Sequence, residues 1–542
     1  MTNTDNVSPE LRKIEKEIDD YYKSNPLLKL PFATAAWSLL AYGEDYMLKE
    51  QLNRVVGTQD RHALGSDFIT ELEHPVSWLH RDCEQGGEIS FAYDSDVYKA
   101  SKDLFELGQK YDLIVFAYTC ATDGVLELEL QGSTIQPTGD FFASIEYEAY
   151  NILVDAHEPE EAQFDLNRDD FPETAIRNSI KVQGDKFRYK LNPRMVADVK
   201  KYLQPLFDGM FLLPSEWKFS CYTLGDFRKA FEAICAIAHI HWTAHGSAVI
   251  EQGVTHKGYL DNIYVLTYGE LLRRVVRYSG LSDAKVKSIL DDLTYGNRGI
   301  RNPSPALQPM IKLNSKHYAI VPNIWICTSA ERNFTALLNR MPDNEKIYAK
   351  LVGKKENLMK ERFTTGLCDK DFKFISDNIT NLTDIDLAIV NHSEKACLLL
   401  ELKWFIAPTT AHERINKSKE IKKGICQILK LKQAFMENYG PLLEKLSIDS
   451  NYRFEGAVVS ENWIGYGNVQ NPEVPVIRAN HLIEKLKTTD SLRATMEWLK
   501  DREYLPKEGE HFTVHRPTTT IGNWTIKWYE IKSLTENAFF HL

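Results

Sequence analysis

Apolar residues recur along the chain with two different periods, and the changes of period mark its predicted elements. Residues 8–56 follow helical spacing, as in "AAWSLLAYGEDYMLKEQLNRVV". Two later runs, "DLIVFAYT" at 112–119 and "VLELELQG" at 125–132, are predicted as strands. Residues 1–154 are therefore predicted to form a mixed α/β region, and no motif assigns a role to it.

An acidic stretch, "DAHEPEEAQFDLNRDDFPE" at 155–173, follows this region. It holds eight acidic residues, one arginine and two prolines. Such a composition is typical of a solvated linker or a long surface loop. We predict a linker or loop over 155–177 and a helical middle domain over 178–330.

Within the middle domain, the order of elements over 268–325 is that of a winged helix-turn-helix. One amphipathic helix is expected to end at Gly280, and Ser282 or Asp283 can cap a second helix. Two strand-like pieces, "QPMIKL" and "HYAIVP", come next. Modules with this order bind DNA or only pack against neighbouring domains, and both interpretations stay open.

Three histidines, His239, His241 and His245, lie in a predicted helix of the middle domain. The last two are one helical turn apart, which is a spacing that zinc can use. However, the helix is apolar on most sides, and no acidic or cysteine ligand lies at a fitting distance in sequence. We interpret these histidines as buried and hydrogen-bonded.

Composition restricts the class of protein. The chain has 542 residues, 43% of them hydrophobic and 26% charged, which predicts a folded protein of two to four domains. It has no apolar signal-peptide core at the N-terminus and no uncharged run of about 18 residues, so we expect no membrane partner. Eight scattered cysteines without a CxxC pair favour a reducing, cytoplasmic location. The net charge is −11, so contact with nucleic acid requires a local basic patch.

Charged residues interrupt two apolar runs in "TDIDLAIVNHSEKACLLLELKW", residues 383–404. We predict strands over 385–390 and 396–404, with the chain reversing at Ser393 and Glu394. The run "ACLLL" is continuous and apolar, as in a strand that is covered on both faces. This argues against the alternative, in which the charged residues lie on the solvent face of an edge hairpin.

The predicted register places Asp386 directly opposite Glu401, with Lys403 on the same face. Two opposed carboxylates repel each other and destabilise the strand pair. A divalent metal would relieve this repulsion, and magnesium is typically held by one or two carboxylates together with water and substrate phosphate. Lys403 could then orient a metal-bound water or stabilise charge on the attacked phosphate.

The order of elements around this hairpin resembles the restriction-endonuclease-like, or PD-(D/E)XK, nuclease superfamily. The family core is a helix, three strands in a meander, a second helix and a further strand. The matching segments are, in order, "NEKIYAKLVGKKENLMKERF", "DFKFIS", "DIDLAIV", "ACLLLELKW", "RINKSKEIKKGICQILKLKQAFMENY" and "YRFEGAVVS". The resemblance covers about residues 345–480. It implies an α/β (α+β multidomain) protein with an αβββαβ core inside a nuclease-like domain over 331–542.

The resemblance also implies roles for individual residues. Asp386 matches the family's metal-binding aspartate, Glu401 its second metal ligand and Lys403 its catalytic lysine. The chain departs from the family pattern at Ile385, where many members have a proline.

Three further residues are candidates because they lie on helices that correspond to helices of the family core and have a fitting residue type. Gln427 resembles a glutamine found on the second helix in several branches. Many members carry a glutamate on the first helix, and Glu356 and Glu361 are both candidates for it.

The predicted second helix is basic in an acidic protein. Residues 411–433 carry seven basic residues against two glutamates, namely Arg414, Lys417, Lys419, Lys422, Lys423, Lys430 and Lys432. We predict that Arg414, Lys417, Lys419, Lys422 and Lys423 contact nucleic-acid phosphates. The alternative is an ordinary solvated helix face.

Together these patterns predict a magnesium-dependent nuclease in which Mn²⁺ can substitute for Mg²⁺. The family resemblance favours DNA over RNA and endonuclease over exonuclease activity, and by analogy it suggests bacterial restriction or anti-phage defence. A homodimer or a partner protein could supply activation. Two alternatives remain, a catalytically silent nuclease fold that binds nucleic acid or assembles a larger complex, and an RNA-cleaving effector. The chain has no GxxxxGK[ST] loop, so any NTPase would be a separate protein.

Overall fold

The computed structural model describes residues 7–53, 58–138, 145–155, 171–184, 186–211, 213–219, 221–252, 254, 256–300, 302–379, 382–406, 408 and 410–534. Most of the predicted acidic linker at 155–177 lies outside these residues. The described residues form a mixed α/β protein of the α+β multidomain kind.

The α-helices are, in chain order, α1 Pro9–Asp19, α2 Phe32–Asn53, α3 Thr58–Asp82, α4 Ser95–Thr122, α5 Glu146–Asp155, α6 Glu173–Asn178, α7 Pro193–Met210, α8 Leu224–Gln252, α9 Tyr268–Ser279, α10 Asp283–Leu293, α11 Pro322–Cys327, α12 Ala330–Arg340, α13 Pro342–Gly366, α14 Ala411–Met436, α15 Gly440–Leu446, α16 Ala479–Thr488 and α17 Leu492–Lys500. Short 3₁₀ helices span Tyr21–Ser24, Pro26–Lys29, His256–Asp261, Asn297–Gly299 and Gly467–Val469.

The strands are β1 Leu128–Gln131, β2 Thr134–Pro137, β3 Lys181–Gln183, β4 Lys186–Arg188, β5 Tyr264–Thr267, β6 Ile311–Lys312, β7 His317–Ile320, β8 Lys373–Asn378, β9 Asp384–Asn391, β10 Ala396–Lys403, β11 Arg453–Ser460, β12 Val476–Arg478, β13 Phe512–His515, β14 Thr518–Ile521, β15 Trp524–Lys527 and β16 Glu530–Ser533. They form separate sheets, of which the largest is the five-stranded sheet β12-β11-β10-β9-β8.

The chain divides into two compact units, each built from separate stretches of sequence. The sheet unit comprises Met1–Lys16, Ile114–Glu158 and Lys350–Leu542, and the helical unit comprises Glu17–Leu113 and Pro159–Ala349. The sheet unit therefore includes residues that the sequence analysis assigned to the N-terminal region. The predicted functional boundaries at 155, 178 and 331 stay predictions.

The five-stranded sheet changes from antiparallel to parallel pairing at β10. Strands β8, β9 and β10 form an antiparallel meander, and β10, β11 and β12 are parallel. Helices α14 and α17 both pack against β10 and β11. All residues of β10 before Lys403 are buried, which explains its continuous apolar run.

Two smaller sheets complete the sheet unit, β1-β2-β15-β14 and β13-β16. Strand β2 pairs in parallel with β15 at Thr134↔Thr525 and Ile135↔Ile526. The sheet unit thus joins residues almost four hundred positions apart. Local periodicity carries no signal for such a pairing.

The helical unit has a core between long helices, in which α8 packs against α7, α9 and α11. Trp37 and Trp325 are among its fully buried side chains. His239, His241 and His245 are buried here as predicted. The ring nitrogens of His241 hydrogen-bond the hydroxyl of Tyr189 and the carbonyl oxygen of Asp261, both at 2.9 Å. Nε2 of His239 has no hydrogen-bond partner among the described residues, so the predicted hydrogen bonding is wrong at that atom.

The predicted helix pair of the middle domain is confirmed. Helix α9 ends at Gly280, whose φ of 72° is the left-handed conformation that favours glycine, and Ser282 precedes α10. Strands β6 and β7 follow as an antiparallel pair. The sequence analysis missed β5, which precedes α9 and pairs with β7. Contact of this module with DNA stays a prediction.

The strand predicted at 112–119 is wrong, because these residues belong to helix α4. Ile114, Ala117, Tyr118 and Ala121 are buried and follow helical spacing, which continues the helix from Ser95. No helix in the described part of the chain is long and apolar enough to span a membrane.

Candidate functional site

The predicted register of the β9–β10 hairpin is confirmed from Asn391↔Ala396 to Leu387↔Leu400. One further step would pair Asp386 with Glu401, but the regular pairing stops before it. Asp386 instead accepts a hydrogen bond at its Oδ2 from the backbone N–H of Leu402, at 2.8 Å. The expected direct cross-strand pair of carboxylates is therefore not formed.

Glu401 and Lys403 lie on one face of β10, since side chains two residues apart along a strand point the same way. Lys403 Nζ lies 2.7 Å from Glu401 Oε1, and the side chains are 20% and 3% exposed. The charge of the buried Glu401 is thus balanced by the adjacent lysine. The two residues that the sequence analysis placed on one face form an ion pair there.

Helix α14 crosses this ion pair at Gly424, where the helix comes very close to β10. A methyl group at Gly424 would lie 3.0 Å from Cγ of Glu401 and 3.3 Å from Cε of Lys403. It would also lie 3.2 Å from Cγ2 of Val458, the β11 partner of Glu401. Only glycine allows this approach without displacing the two charged side chains. A glycine inside a long helical pattern is the sequence feature that indicates such a close approach.

Asp386 is partly buried at the open end of the hairpin. Burial raises the pKa of its carboxyl group, and the charge of Asp384 adds to this effect. The Leu402 N–H and the charges of Lys403 and Lys360 act in the opposite direction and favour the carboxylate. The electrostatic environment of Asp386 thus depends on both Lys403 and a lysine of α13.

Lys360 on α13 was not among the predicted site residues. Its Nζ donates to Ser376 Oγ at 3.0 Å, and Ser376 Oγ donates to the carbonyl oxygen of Ile385 at 3.3 Å. This chain of hydrogen bonds connects Lys360 to the residue next to Asp386. The sequence contains no signal that separates Lys360 from the neighbouring lysines of the helix.

Glu461 is a third carboxylate close to the end of β10, and the sequence analysis missed it. Its backbone N–H donates to the carbonyl oxygen of Lys403 at 2.9 Å. Its Oε1 forms an ion pair with Arg362 of α13, whereas its buried Oε2 has no hydrogen-bond partner among the described residues. Helix α13 is thereby tied to the strand end that carries Lys403.

The roles predicted for Gln427, Glu361 and Glu356 stay predictions. Gln427 is partly buried one helical turn beyond Gly424, and its side chain forms no hydrogen bond with a described residue. Glu361 is exposed on α13. Glu356 lies in the same helix, but its side chain is outside the described residues.

Two of the five predicted phosphate-contacting residues, Arg414 and Lys417, contact aromatic rings of the protein itself. The guanidinium of Arg414 lies 5.3 Å from the ring centres of both Phe116 and Trp463. Lys417 Nζ lies 5.1 Å from the ring centre of Phe405. Cation–π contacts of this kind hold the N-terminal half of α14 in place.

The other three predicted contacts lie on the exposed side of α14. Lys419 forms an ion pair with Asp123 at 3.2 Å, and Lys423 forms one with Glu420 at 2.7 Å. Lys422 is exposed between them. These three lysines form the exposed basic patch of α14.

The donor set at the hairpin suits magnesium better than a structural metal. Among the described residues, no group of three or more His, Cys, Asp or Glu side chains could hold a metal ion. Asp386 and Glu401 supply two carboxylates at adjoining strand ends, and Asp386 uses only its Oδ2 for the Leu402 N–H. Magnesium is usually bound by one or two carboxylates, with water and substrate phosphate as its other ligands. The two carboxylates therefore fit such an ion.

Comparison with protein-family models, with curated proteins and with solved structures finds no match to this chain in any of the three. The family resemblance therefore depends on the residues of the hairpin and on the order of the surrounding elements.

Substituting Gly424 by alanine should impair the candidate site more than the fold. Alanine improves helix propensity, and the new methyl group crowds Glu401 and Lys403, so we expect opposing effects that leave stability within about 1 kcal/mol of the parent. Displacing the two charged groups by a few tenths of an ångström should lower metal-dependent cleavage about tenfold. Chemical denaturation and a cleavage assay measure the two effects.

Gly246→Ala is the matched control, because Gly246 also lies inside a long helix and a methyl group there meets no atom within 4 Å. It should stabilise the protein by about 0.5–1 kcal/mol and leave cleavage unchanged. Equal cleavage by the Gly424→Ala variant and the parent would contradict the close packing of α14 on the site.

Asp386→Asn should raise the Tm of the metal-free protein near neutral pH. Burial raises the pKa of Asp386, so the folded state holds its proton more tightly than the unfolded state does. The negative charge then destabilises the fold above that pKa, and Asn removes the charge while keeping an acceptor for the Leu402 N–H. The gain should shrink as the pH is lowered and Asp386 itself becomes protonated. Thermal unfolding in EDTA across a pH series measures it.

Asp377→Asn is the control of opposite sign, because a hydrogen bond from Lys445 lowers the pKa of the exposed Asp377. This variant should lower the Tm slightly or leave it unchanged near neutral pH. A decrease in Tm for Asp386→Asn would contradict this prediction. It would show that the Leu402 N–H and the charges of Lys403 and Lys360 stabilise the carboxylate by more than burial destabilises it.

Proposed function

We propose that this protein is a divalent-metal-dependent nuclease that hydrolyses phosphodiester bonds of DNA. The observation that carries the proposal is the charged cluster where the β9–β10 ladder ends. There the partly buried Asp386, the buried Glu401 and the adjacent Lys403 lie at adjoining strand ends. Proteins tolerate such a concentration of buried charge mainly where it has a function.

The order of elements supports membership of the PD-(D/E)XK superfamily. Helix α13 is followed by the antiparallel meander β8–β9–β10, then by α14 and by β11, which is parallel to β10. This is the αβββαβ order of the superfamily core. In the resemblance, Asp386 on the second strand and Glu401 and Lys403 on the third match the residues of the superfamily motif.

Each residue of the cluster has a role in the proposed reaction. Asp386 and Glu401 would hold a magnesium ion through their carboxylate oxygens. When bound, such an ion lowers the pKa of a water molecule and neutralises charge on the phosphate. Lys403 holds its ammonium group beside Glu401, from where it can orient the attacking water or donate a hydrogen bond to a phosphate oxygen. Helix α14 excludes solvent from this side of Glu401 through the close approach of Gly424.

The exposed basic patch of α14 supports a nucleic-acid substrate. Lys419, Lys422 and Lys423 lie on the helix whose Gly424 touches the ion pair. Phosphate contacts made by such lysines position a strand without reading its sequence. DNA as the substrate, endonucleolytic cleavage and a role in restriction or anti-phage defence follow from the family resemblance.

Cleavage should require a divalent metal, Glu401 and Lys403. We expect Glu401→Gln to reduce turnover to background, and Lys403→Met to reduce it about 100-fold or more, as for other residues that stabilise transition-state charge. The assay uses plasmid, linear duplex, single-stranded DNA and RNA, with Mg²⁺, Mn²⁺ or EDTA. Circular dichroism checks that each variant is folded.

Lys373→Met provides the matched control, because Lys373 lies on β8 of the same sheet and its ammonium group donates a hydrogen bond to Ser447 Oγ at 3.3 Å, away from the charged cluster. It should cleave like the parent. Undiminished cleavage by Glu401→Gln would disprove the site assignment. Tight, metal-independent binding without cleavage by the parent would instead favour the catalytically silent nucleic-acid-binding protein.

Reversing the charge of Lys419, Lys422 and Lys423 to glutamate should weaken binding to all DNA sequences alike. Each lost phosphate contact reduces the slope of log affinity against log salt by about 0.9 for duplex DNA. Fluorescence anisotropy over a series of salt concentrations measures the slope.

A second triple variant controls for net charge. Lys487, Lys500 and Lys507 are lysines of the same unit, and their reversal to glutamate changes the total charge equally. Their variant should keep the parental slope. If both triple variants change the slope to the same extent, the effect comes from total charge and not from the exposed basic patch of α14.

A further inference from the structure

A polar cavity of about 290 Å³ lies on the small sheet β1-β2-β15-β14 of the sheet unit. The residues that line it include Glu129, Gln136, Thr138, Arg516, Lys527 and Trp528. None of them belongs to the candidate nuclease cluster. The volume is close to the lower end of small-molecule sites, which begins at about 300 Å³.

The strand register brings the polar lining residues into one row. Glu129 is paired with Gln136 across the antiparallel strands β1 and β2. Strands β2 and β15 are parallel, and their last pair is Ile135↔Ile526, so the next residues along are Gln136 and Lys527. Partners in a ladder share a face of the sheet. Glu129, Gln136 and Lys527 therefore extend from the same face.

The carboxylate in this row is already satisfied by neighbouring amides. Glu129 Oε1 accepts hydrogen bonds from Gln131 Nε2 at 2.8 Å and from Gln136 Nε2 at 2.6 Å. Its charge is stabilised by these two donors, and no described residue forms a salt bridge with it. The lysine of the row consequently remains available to another anion.

Lys527 is partly buried, and its side chain forms no hydrogen bond or ion pair with any residue that the structure describes. Arg516, at the rim of the cavity, is exposed. The cavity thus has two cationic side chains and one carboxylate, in a protein whose net charge is −11. Within this lining, Lys527 is the cation for which the described residues supply no ion pair, and such a charge attracts an anion.

Trp528, one of the residues that line the cavity, is packed against other aromatic rings. Trp528 is 4% exposed, and its ring lies 5.9 Å from that of Phe116 and 4.9 Å from that of Tyr529. Its backbone N–H donates to the carbonyl oxygen of Pro517 at 3.0 Å, which fixes the chain next to Arg516. Lys527 therefore extends from the end of the inner strand β15, and Arg516 from a loop that is bonded to the residue after Lys527.

We propose that this cavity binds a phosphate group, carried either by a free nucleotide or by a strand of nucleic acid. A phosphate monoester carries nearly two negative charges near neutral pH, which the ammonium and the guanidinium match, and the planar guanidinium suits phosphate oxygens. The Thr138 hydroxyl adds a polar group to the lining. The proposal does not depend on the nuclease activity, since it concerns different residues.

Isothermal titration calorimetry on the full chain tests this proposal in EDTA, where metal-dependent cleavage cannot occur. The probes are inorganic phosphate, a nucleoside 5′-monophosphate and a short 5′-phosphorylated single strand. Lys527→Gln should weaken binding about tenfold, the contribution of one charge-assisted hydrogen bond. Glu129→Gln should tighten binding, because it removes a negative charge from the lining.

Lys532→Gln is the matched control, since Lys532 lies on β16, outside the cavity, and is paired with Glu530 at 3.5 Å. It should bind all probes as the parent does. Tight binding of the monophosphate identifies a free nucleotide as the ligand, and binding of the single strand alone identifies nucleic acid. If the parent binds no probe saturably, or if Lys527→Gln binds as well as the parent, the proposal is overturned. Loss of cleavage in a hairpin variant with intact phosphate binding would affect only the proposed nuclease activity.

Discussion

The ion pair between Glu401 and Lys403 is the interaction on which the candidate site depends. Burying a carboxylate without a compensating charge costs several kcal/mol, and Glu401 is only 3% exposed. The lysine two residues later on the same face offsets part of this cost, and its side chain remains 20% exposed. The pair in turn requires a helix that can cover it without a side chain, which is the position of Gly424. A single residue type at 424 therefore allows the second helix of the core to lie over two charged groups.

Strand β10 is also where the sheet changes its pairing, and this explains how charges can collect at one of its ends. The antiparallel ladder with β9 stops at Leu387↔Leu400, whereas the parallel ladder with β11 continues to Lys403↔Ser460. The side chain of Asp386 replaces the missing cross-strand bond by accepting the Leu402 N–H. One side of the strand thus lacks a backbone ladder at this end, while the other side stays fully bonded. At this end the Lys403 side chain is 20% exposed and the Glu401 carboxylate is buried.

Most of this local arrangement could be predicted from the sequence, because it follows from short-range rules. The alternation and the polar turn fixed the hairpin register, and the elements from α13 to β11 appear where the periodicity placed them. The features that could not be predicted are those made by distant partners. The pairing of β2 with β15 and the tie between Arg362 and Glu461 leave no trace in local periodicity. The wrong strand prediction at 112–119 also results from tertiary contacts. This run is rich in β-branched and aromatic residues, but its apolar positions recur with the helical period and it forms part of α4.

The number of basic residues in α14 is larger than the number that contribute to its positive surface. Arg414 and Lys417 lie on aromatic rings and act as packing residues, so they add little to the positive surface. Lys419 pairs with the partly buried Asp123 and Lys423 with the more exposed Glu420. An exposed ion pair such as the second stabilises a protein by about 0–1 kcal/mol. Under the proposed function, phosphates would replace these carboxylates at little cost in free energy. The lysines that would then follow a nucleic-acid backbone, Lys419, Lys422 and Lys423, lie within two helical turns and directly precede Gly424.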